Sequence, residues 1–231
     1  MRGIKAIFTK QAKDMVKNPM VLVMFIIFPA VAFIMTALIG NTNDELPANL
    51  FVTMMAAIFA GMGLITSAAA VIAEDIERGS LRFLIIAGVK PHQYLLGTGG
   101  FLLLAGAVTS ALFALIGDFT EAETAKFLAV MLAGTAASII LGTAIGMFSK
   151  NQQAATALGI PVAMLLGFTP MVAAFNETVS KYANILYTQQ INVIVNDFSV
   201  SLTEPLLVIL GNIVVFTALF IIAYRKKGLK G

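Results

Sequence analysis

Six stretches of this chain carry no charged residue and are each long enough to cross a lipid bilayer. They are Met20–Ile39, Leu50–Ala73, Leu95–Ile116, Phe127–Phe148, Ala154–Ala174 and Leu206–Tyr224, between 19 and 24 residues apiece. About 20 apolar residues wound as a helix cover the roughly 30 Å hydrocarbon core. In lipid no water satisfies backbone N–H and C=O groups, so a spanning segment is a helix or part of a closed barrel. Barrel strands would be about 10 residues long and alternate in polarity. These runs do neither. The expectation is an all-α membrane protein, a single transmembrane domain over residues 1–231 with six transmembrane helices. Composition agrees, with 12% charged and 59% hydrophobic residues, against about 25% charged in a soluble domain. Ala30-Val31-Ala32 resembles a signal-peptide cleavage site. The apolar run continues to Ile39, however, and nineteen residues precede it, so an uncleaved span is expected.

Orientation follows from the connections, because Lys and Arg are retained on the cytoplasmic side. The N-terminal segment and the 74–94, 149–153 and C-terminal segments hold 13 basic and 4 acidic residues. The 40–49, 117–126 and 175–205 connections hold Lys126 and Lys181 and 8 acidic residues. One face is therefore +9 and the other −6, which predicts cytoplasmic termini.

The spans carry no Asp, Glu, Lys, Arg or His. An ionisable group inside the membrane is costly and marks ion coupling or catalysis, so this absence argues against an ion-driven carrier and against intramembrane proteolysis. It also makes a hydrophobic, lipid-like, drug or peptide cargo a better fit than a small ion. There is no cysteine and only one histidine, His92, so no site needing thiolates or two imidazoles can form. No G-x-x-x-x-G-K-[ST] occurs, so the chain has no P-loop of its own. No catalytic, cofactor or metal residues are expected. Small residues do recur at helical spacing: Gly134, Ser138, Gly142 and Gly146 in the fourth span, Gly106, Ser110 and Ala114 in the third, Gly63 and Ser67 in the second. Such stripes let helices approach closely. Packing within one chain is the leading reading, with a dimer seam or a moving pore wall as alternatives. Asn212, the amide of the last span, is expected to bond between helices.

Three connections are more than loops. Residues 1–19 read as an amphipathic helix with Ile4, Ile7, Phe8, Gln11 and Met15 near one stripe, ending at Asn18-Pro19 because the residue before proline avoids the helical region. Such a helix can lie in the membrane plane against anionic lipid. Residues 74–94 begin with Glu74, Asp75 and Glu77, continue through Arg78 and Arg82, and enclose an apolar patch from Leu81 to Ile86. This predicts a short cytoplasmic helix with an exposed apolar face, which on a soluble side marks a partner or the membrane surface. Residues 175–205 hold a second amphipathic helix around Leu186, Tyr187, Ile191, Ile194 and Val195. It lies on, or dips into, the outer leaflet, as a lid over an exit path or as a passive surface helix.

The whole pattern resembles the type-2 membrane subunit, or permease, of ATP-binding-cassette exporters. Two segments carry the likeness beyond topology. One is KDMVKNPMVLVMFIIFPAV, with Asp14, Asn18, Pro19 and Pro29 placed as in that family's opening segment. The other is EDIERGSLRFLIIAGVKPHQYLLG, similar to its acidic-then-Gly-Ser/Thr-Leu signature after the second span; Ala87-Gly88 departs from a common Ser/Thr-Pro. The resemblance implies a plasma-membrane, multi-pass subunit that forms its pathway as a homodimer or with a related permease. ATP and Mg would sit on separate ATPase subunits, and the 74–94 helix would be the coupling helix seated in an ATPase groove. Glu77, Arg78, Leu81, Arg82, Phe83 and Leu84 would make that contact, with Phe83 the anchor. Membrane lipid is the other partner; no nucleic acid is expected. A non-transporting anchor or immunity subunit and an ATP-independent channel are the competing readings.

Overall fold

The computed structural model describes residues 2–40, 47 and 49–228. Asp44 and Glu45 of the 40–49 connection, and Lys230, lie outside the described residues. Every regular element among them is helical: α1 (Arg2–Lys17), α2 (Pro19–Leu38), α3 (Leu50–Ile58), a π-helical turn (Phe59–Gly63), α4 (Leu64–Glu77), α5 (Ser80–Ile86), α6 (Pro91–Ile116), α7 (Glu121–Phe148), α8 (Gln152–Ala173), α9 (Glu177–Ala183), α10 (Tyr187–Asn196) and α11 (Thr203–Gly228). Six helical segments are long and apolar enough to cross a membrane, with α3, the π turn and α4 forming the second. The ends of the first and last spans that lead to the termini share one face, called here the terminal face, with α1 and α5. The opposite face carries the start of α9 and the far end of α10.

Burial separates the spans. The second is 78% buried over its apolar window, whereas the first is 22% and the last 17%. The second and fourth spans are therefore the core, and the outward apolar faces of α2 and α11 remain for lipid. Phe59, fully buried, centres this core. Its ring meets Phe25 edge-on at 5.8 Å and, tilted, Phe28 at 6.0 Å and Phe113 at 5.9 Å, contacts that add to the area they bury.

The α4–α7 contact is set by the fourth-span stripe. A Cβ on Gly142 would lie 2.5 Å from the Ile65 carbonyl oxygen, and one on Gly146 2.7 Å from that of Ala69. The two backbones touch over more than one turn. At the far end of the stripe, Gly134 faces α10 instead, where its Cβ would overlap Ile191. Ser138 and all three glycines are buried within this one chain. The close approaches at this stripe are thus made within the one chain, to α4 and α10. The residues of the shorter stripes are also covered from within, Gly106 by Leu64 and Thr135 and Gly63 by Phe28.

The 175–205 connection does not rest on the surface. The Tyr187 hydroxyl lies 2.8 Å from that of Ser138. Ser138 is eleven residues into the apolar run of α7, about 16 Å at ~1.5 Å per residue. Thr188 touches the position of a Cβ on Gly61, equally deep in the second span. The Asn212 amide donates to the Ile185 carbonyl at 2.9 Å, six residues into the apolar run of α11, about 9 Å at ~1.5 Å per residue. Together they place the tip between α9 and α10 a third to a half of the way through the roughly 30 Å core. The other end of α10 reaches the far face, where the Lys126 ammonium donates to the Phe198 carbonyl. The segment is re-entrant. Non-helical backbone at that depth must be satisfied by protein, and here two amides do it: Asn212 on the Ile185 carbonyl and the Gln190 amide on the Asn184 carbonyl.

Candidate functional site

The second span ends in an acidic run whose carboxylates go to different helices. Asp75 is 3% exposed. Its carboxylate accepts from the Lys10 ammonium, from the Gln11 amide at 2.9 Å and from the Tyr94 hydroxyl at 2.7 Å. One buried anion thereby ties α1 and α6 to α4. A buried carboxylate is tolerable only when paired and fully hydrogen-bonded, and three donors meet that need. Burial lowers the pKa of Lys10, but the Asp75 and Asp14 carboxylates beside it outweigh that and hold it above the ordinary lysine value. Glu74 accepts from the Asn18 amide, which caps α2, at 2.8 Å and from the Gln152 amide at 3.3 Å, and it pairs with Arg78 at 2.6 Å. Glu77 accepts from the backbone N–H of Gln152 at 3.1 Å, where a carboxylate complements the N-terminal dipole of α8.

From this knot the chain turns into α5. Gly79, at φ +72°, follows α4, and Gly88, at φ +80°, follows α5. Both are left-handed positions that other residues adopt at a cost. At the second turn Gly88 N–H bonds the Ile85 carbonyl and Val89 N–H the Leu84 carbonyl, each at 3.0 Å. This is a Schellman closure, and it stops the helix after seven residues. The Tyr224 hydroxyl, from α11, donates to the Val89 carbonyl at 2.9 Å and pins that corner.

The proposed contact residues divide on this frame. Leu81 is 3% exposed and packs inward with Ile7, Ile72, Tyr94 and Met147. It is a core residue, not part of an open patch, because the side of α5 that follows the knot faces α1 and α4. Leu84 is half-buried against the same cluster. Phe83 and Ile86 point away, 74% and 73% exposed, with Arg82 exposed beside them. Glu77 and Arg78 are exposed but already engaged, with α8 and with Glu74. The open face is therefore Arg82, Phe83 and Ile86.

Sequence reasoning treated the three acids as one flank of this loop and missed that Asp75 is buried. A signal was present. Gln11 lies in the otherwise apolar stripe of α1, and a polar residue on a buried stripe calls for a buried partner. Tyr94 carried no comparable sign. The α1 stripe itself is inward: Ile7 and Gln11 are buried, and Phe8 meets Phe101 edge-on at 5.5 Å.

Comparison with known families gives one result on this frame. The profile described as ABC-2 type transporter matches residues 2–187, from the first turn of α1 to the first residue of α10. No curated protein matches the chain.

Proposed function

The chain belongs to the ABC-2 type transporter family and is a multi-pass membrane permease, and from that premise we propose that it is the membrane subunit of an ATP-driven exporter. Two copies, or this chain with a related one, form the pathway. Separate ATPase subunits, carrying ATP and Mg, dock beneath α5. The protein sits in the plasma membrane with the terminal face cytoplasmic, in keeping with the charge asymmetry of the connections. On this reading α5 is the coupling helix and α1 the in-plane helix, its exposed Lys5, Lys13 and Lys17 toward lipid headgroups and solvent.

The observation that carries the proposal is the form of α5. It is a short helix closed at both ends by left-handed glycines, with its inner face locked by Leu81 and its outer face ending in Phe83 and Ile86. An aromatic and an aliphatic side chain held outward beside an arginine suit a docking contact, since aromatic residues and Arg dominate interface energies. The base of α5 is tied by Asp75 to α1 and α6. A displacement of α5 by its partner therefore reaches the first three spans together.

Purification of the intact complex in mild detergent tests this. The wild-type chain is expected to carry a nucleotide-binding subunit. Phe83→Ala removes an outward ring with no intrachain role, so insertion and thermal stability stay at wild-type level. ATPase affinity falls at least about 30-fold, from a hot-spot loss of ~2 kcal/mol or more. A wild-type preparation with no ATPase, or a Phe83→Ala complex of undiminished affinity, would overturn the proposal.

A further inference from the structure

The second span leads through the Gly79 turn into α5 at one end and touches the re-entrant helix at its middle. That middle is the π-helical turn Phe59–Gly63, where the Leu64 N–H bonds back to the Phe59 carbonyl five residues earlier. Such turns are the places where a helix changes register, and they occur at functional positions more often than chance. The Ser138 hydroxyl donates to the Ala60 carbonyl inside this turn and stands 2.8 Å from the Tyr187 hydroxyl. A hydroxyl has one proton to give, and Ser138, which also reaches the Gly134 carbonyl of its own helix at 3.0 Å, shares it among that carbonyl, the Ala60 carbonyl and the Tyr187 hydroxyl. Both side chains are fully buried. Steric contact runs parallel to this chain of bonds. A Cβ on Gly61 would lie 2.6 Å from the Gly167 Cα and 3.1 Å from the Thr188 side chain. No side-chain volume separates the π turn from α8, and on the α10 side the Thr188 side chain packs directly on it.

The tip is held to α10 by the Gln190 amide on the Asn184 carbonyl and to α11 by the Asn212 amide on the Ile185 carbonyl. Asn184 and Ile185 are exposed at this depth.

We infer that Tyr187 is a positioning residue that ties the re-entrant helix to the second span, so that a shift of α3–α4 imposed at α5 moves the α9–α10 tip. The path is α5, α4, the Ala60 carbonyl of the π turn, Ser138 of α7 and Tyr187 of α10. The inference rests on the ATP-driven reading for the origin of the shift, and on the hydroxyl pair and glycine contacts for its transmission.

The chain has no native cysteine, so a single probe can report the tip. Ile185→Cys places a thiol on a side chain that is 72% exposed; its backbone carbonyl keeps the Asn212 bond. The rate of maleimide labelling is measured in the purified complex without nucleotide and after trapping with ATP and orthovanadate. Trapping is expected to change the rate at least fivefold. With Tyr187→Phe added, which keeps the ring and removes the hydroxyl, the change falls below twofold while ATP hydrolysis and thermal stability stay within the wild-type range. A purely structural role would lower stability without separating hydrolysis from tip response. An unaltered fivefold response in Tyr187→Phe overturns the inference. If Tyr187→Phe does not accumulate, Ser138→Ala breaks the same link from the other side and is read by the same criteria. A tip that ignores trapping in a complex that hydrolyses ATP sinks the inference and leaves the exporter reading standing. Absence of any ATPase from the wild-type preparation sinks the exporter reading itself, and the inference with it.

Discussion

Gly142→Ala adds one methyl group where α7 crosses α4, and the structure sets its consequence. The new carbon would lie 2.5 Å from the Ile65 carbonyl oxygen and 2.8 Å from the Ala68 Cβ. Ordinary contact needs about 3.5 Å, so the helices must part by roughly 1 Å. The first obstacle is backbone, not the end of a flexible chain, and cannot swing aside. A gap of 0.5–1 Å forfeits about a quarter to a half of each dispersion well, and the loss extends to the neighbouring contact at Gly146, whose Cβ position is 2.6 Å from Ile72. Overpacking of this kind costs about 1–3 kcal/mol, partly offset by the ~1 kcal/mol by which alanine favours a helix over glycine. Gly100→Ala is the control, since no atom lies within 4 Å of its Cβ position and only the propensity gain remains. Thermal denaturation of both variants in detergent is the assay. Gly142→Ala should melt at least about 2–4 °C below Gly100→Ala, the shift for 1 kcal/mol in a chain of this size. The folded fraction should keep its oligomeric state, because Gly142 is covered by its own chain. Equal melting of the two variants would refute the steric reasoning, and a folded monomer from a wild-type dimer would return the stripe to the subunit interface.

Asp75→Asn leaves one acceptor for three donors and turns an amide N–H₂ toward them, so stability should drop by an amount near the low end of the roughly 3–5 kcal/mol seen when a buried pair is broken; a melt unchanged within 1 °C would contradict the assigned role. The raised pKa of Lys10 means its contribution is fully present below 10.5, the ordinary lysine value, and is lost as pH rises through the higher folded value. Lys10→Met should therefore flatten the alkaline limb of a stability–pH curve above that point and leave its acid limb unchanged, as urea melts across pH 7–12 would show. Single cysteines at Lys150 and Ser199, on opposite faces, should react oppositely with an impermeant thiol reagent in intact cells, with Ser199→Cys labelled and Lys150→Cys protected; the reverse pattern would invert the orientation.

The six spans, the basic N-terminal helix, the short helix after the second span and the break at Asn18-Pro19 were all legible in the sequence. They depend on local quantities: apolar length against bilayer thickness, side-chain period along one helix, and the backbone limits of proline and glycine. Asn212 was legible as an interhelical donor because an amide in lipid must bond somewhere. Its partner, the carbonyl of Ile185 at a re-entrant tip, was not, since nothing local reports how deep a connection folds back. The same holds for the small-residue stripe. Spacing shows that something approaches Gly134, Ser138, Gly142 and Gly146, and only the packed structure assigns α4 to one half and α10 to the other. On α5 the sequence offers Leu81, Phe83, Leu84 and Ile86 as one apolar run. Tertiary packing turns Leu81 into the core and leaves Phe83 and Ile86 outside, because the Asp75 knot fixes which side of that helix meets α1 and α4. Which charge is buried is decided by bonds between residues 19 to 65 positions apart, and which side chain is free by a cluster that joins Leu81 to residues of α1, α7 and α11; no window along the chain contains them.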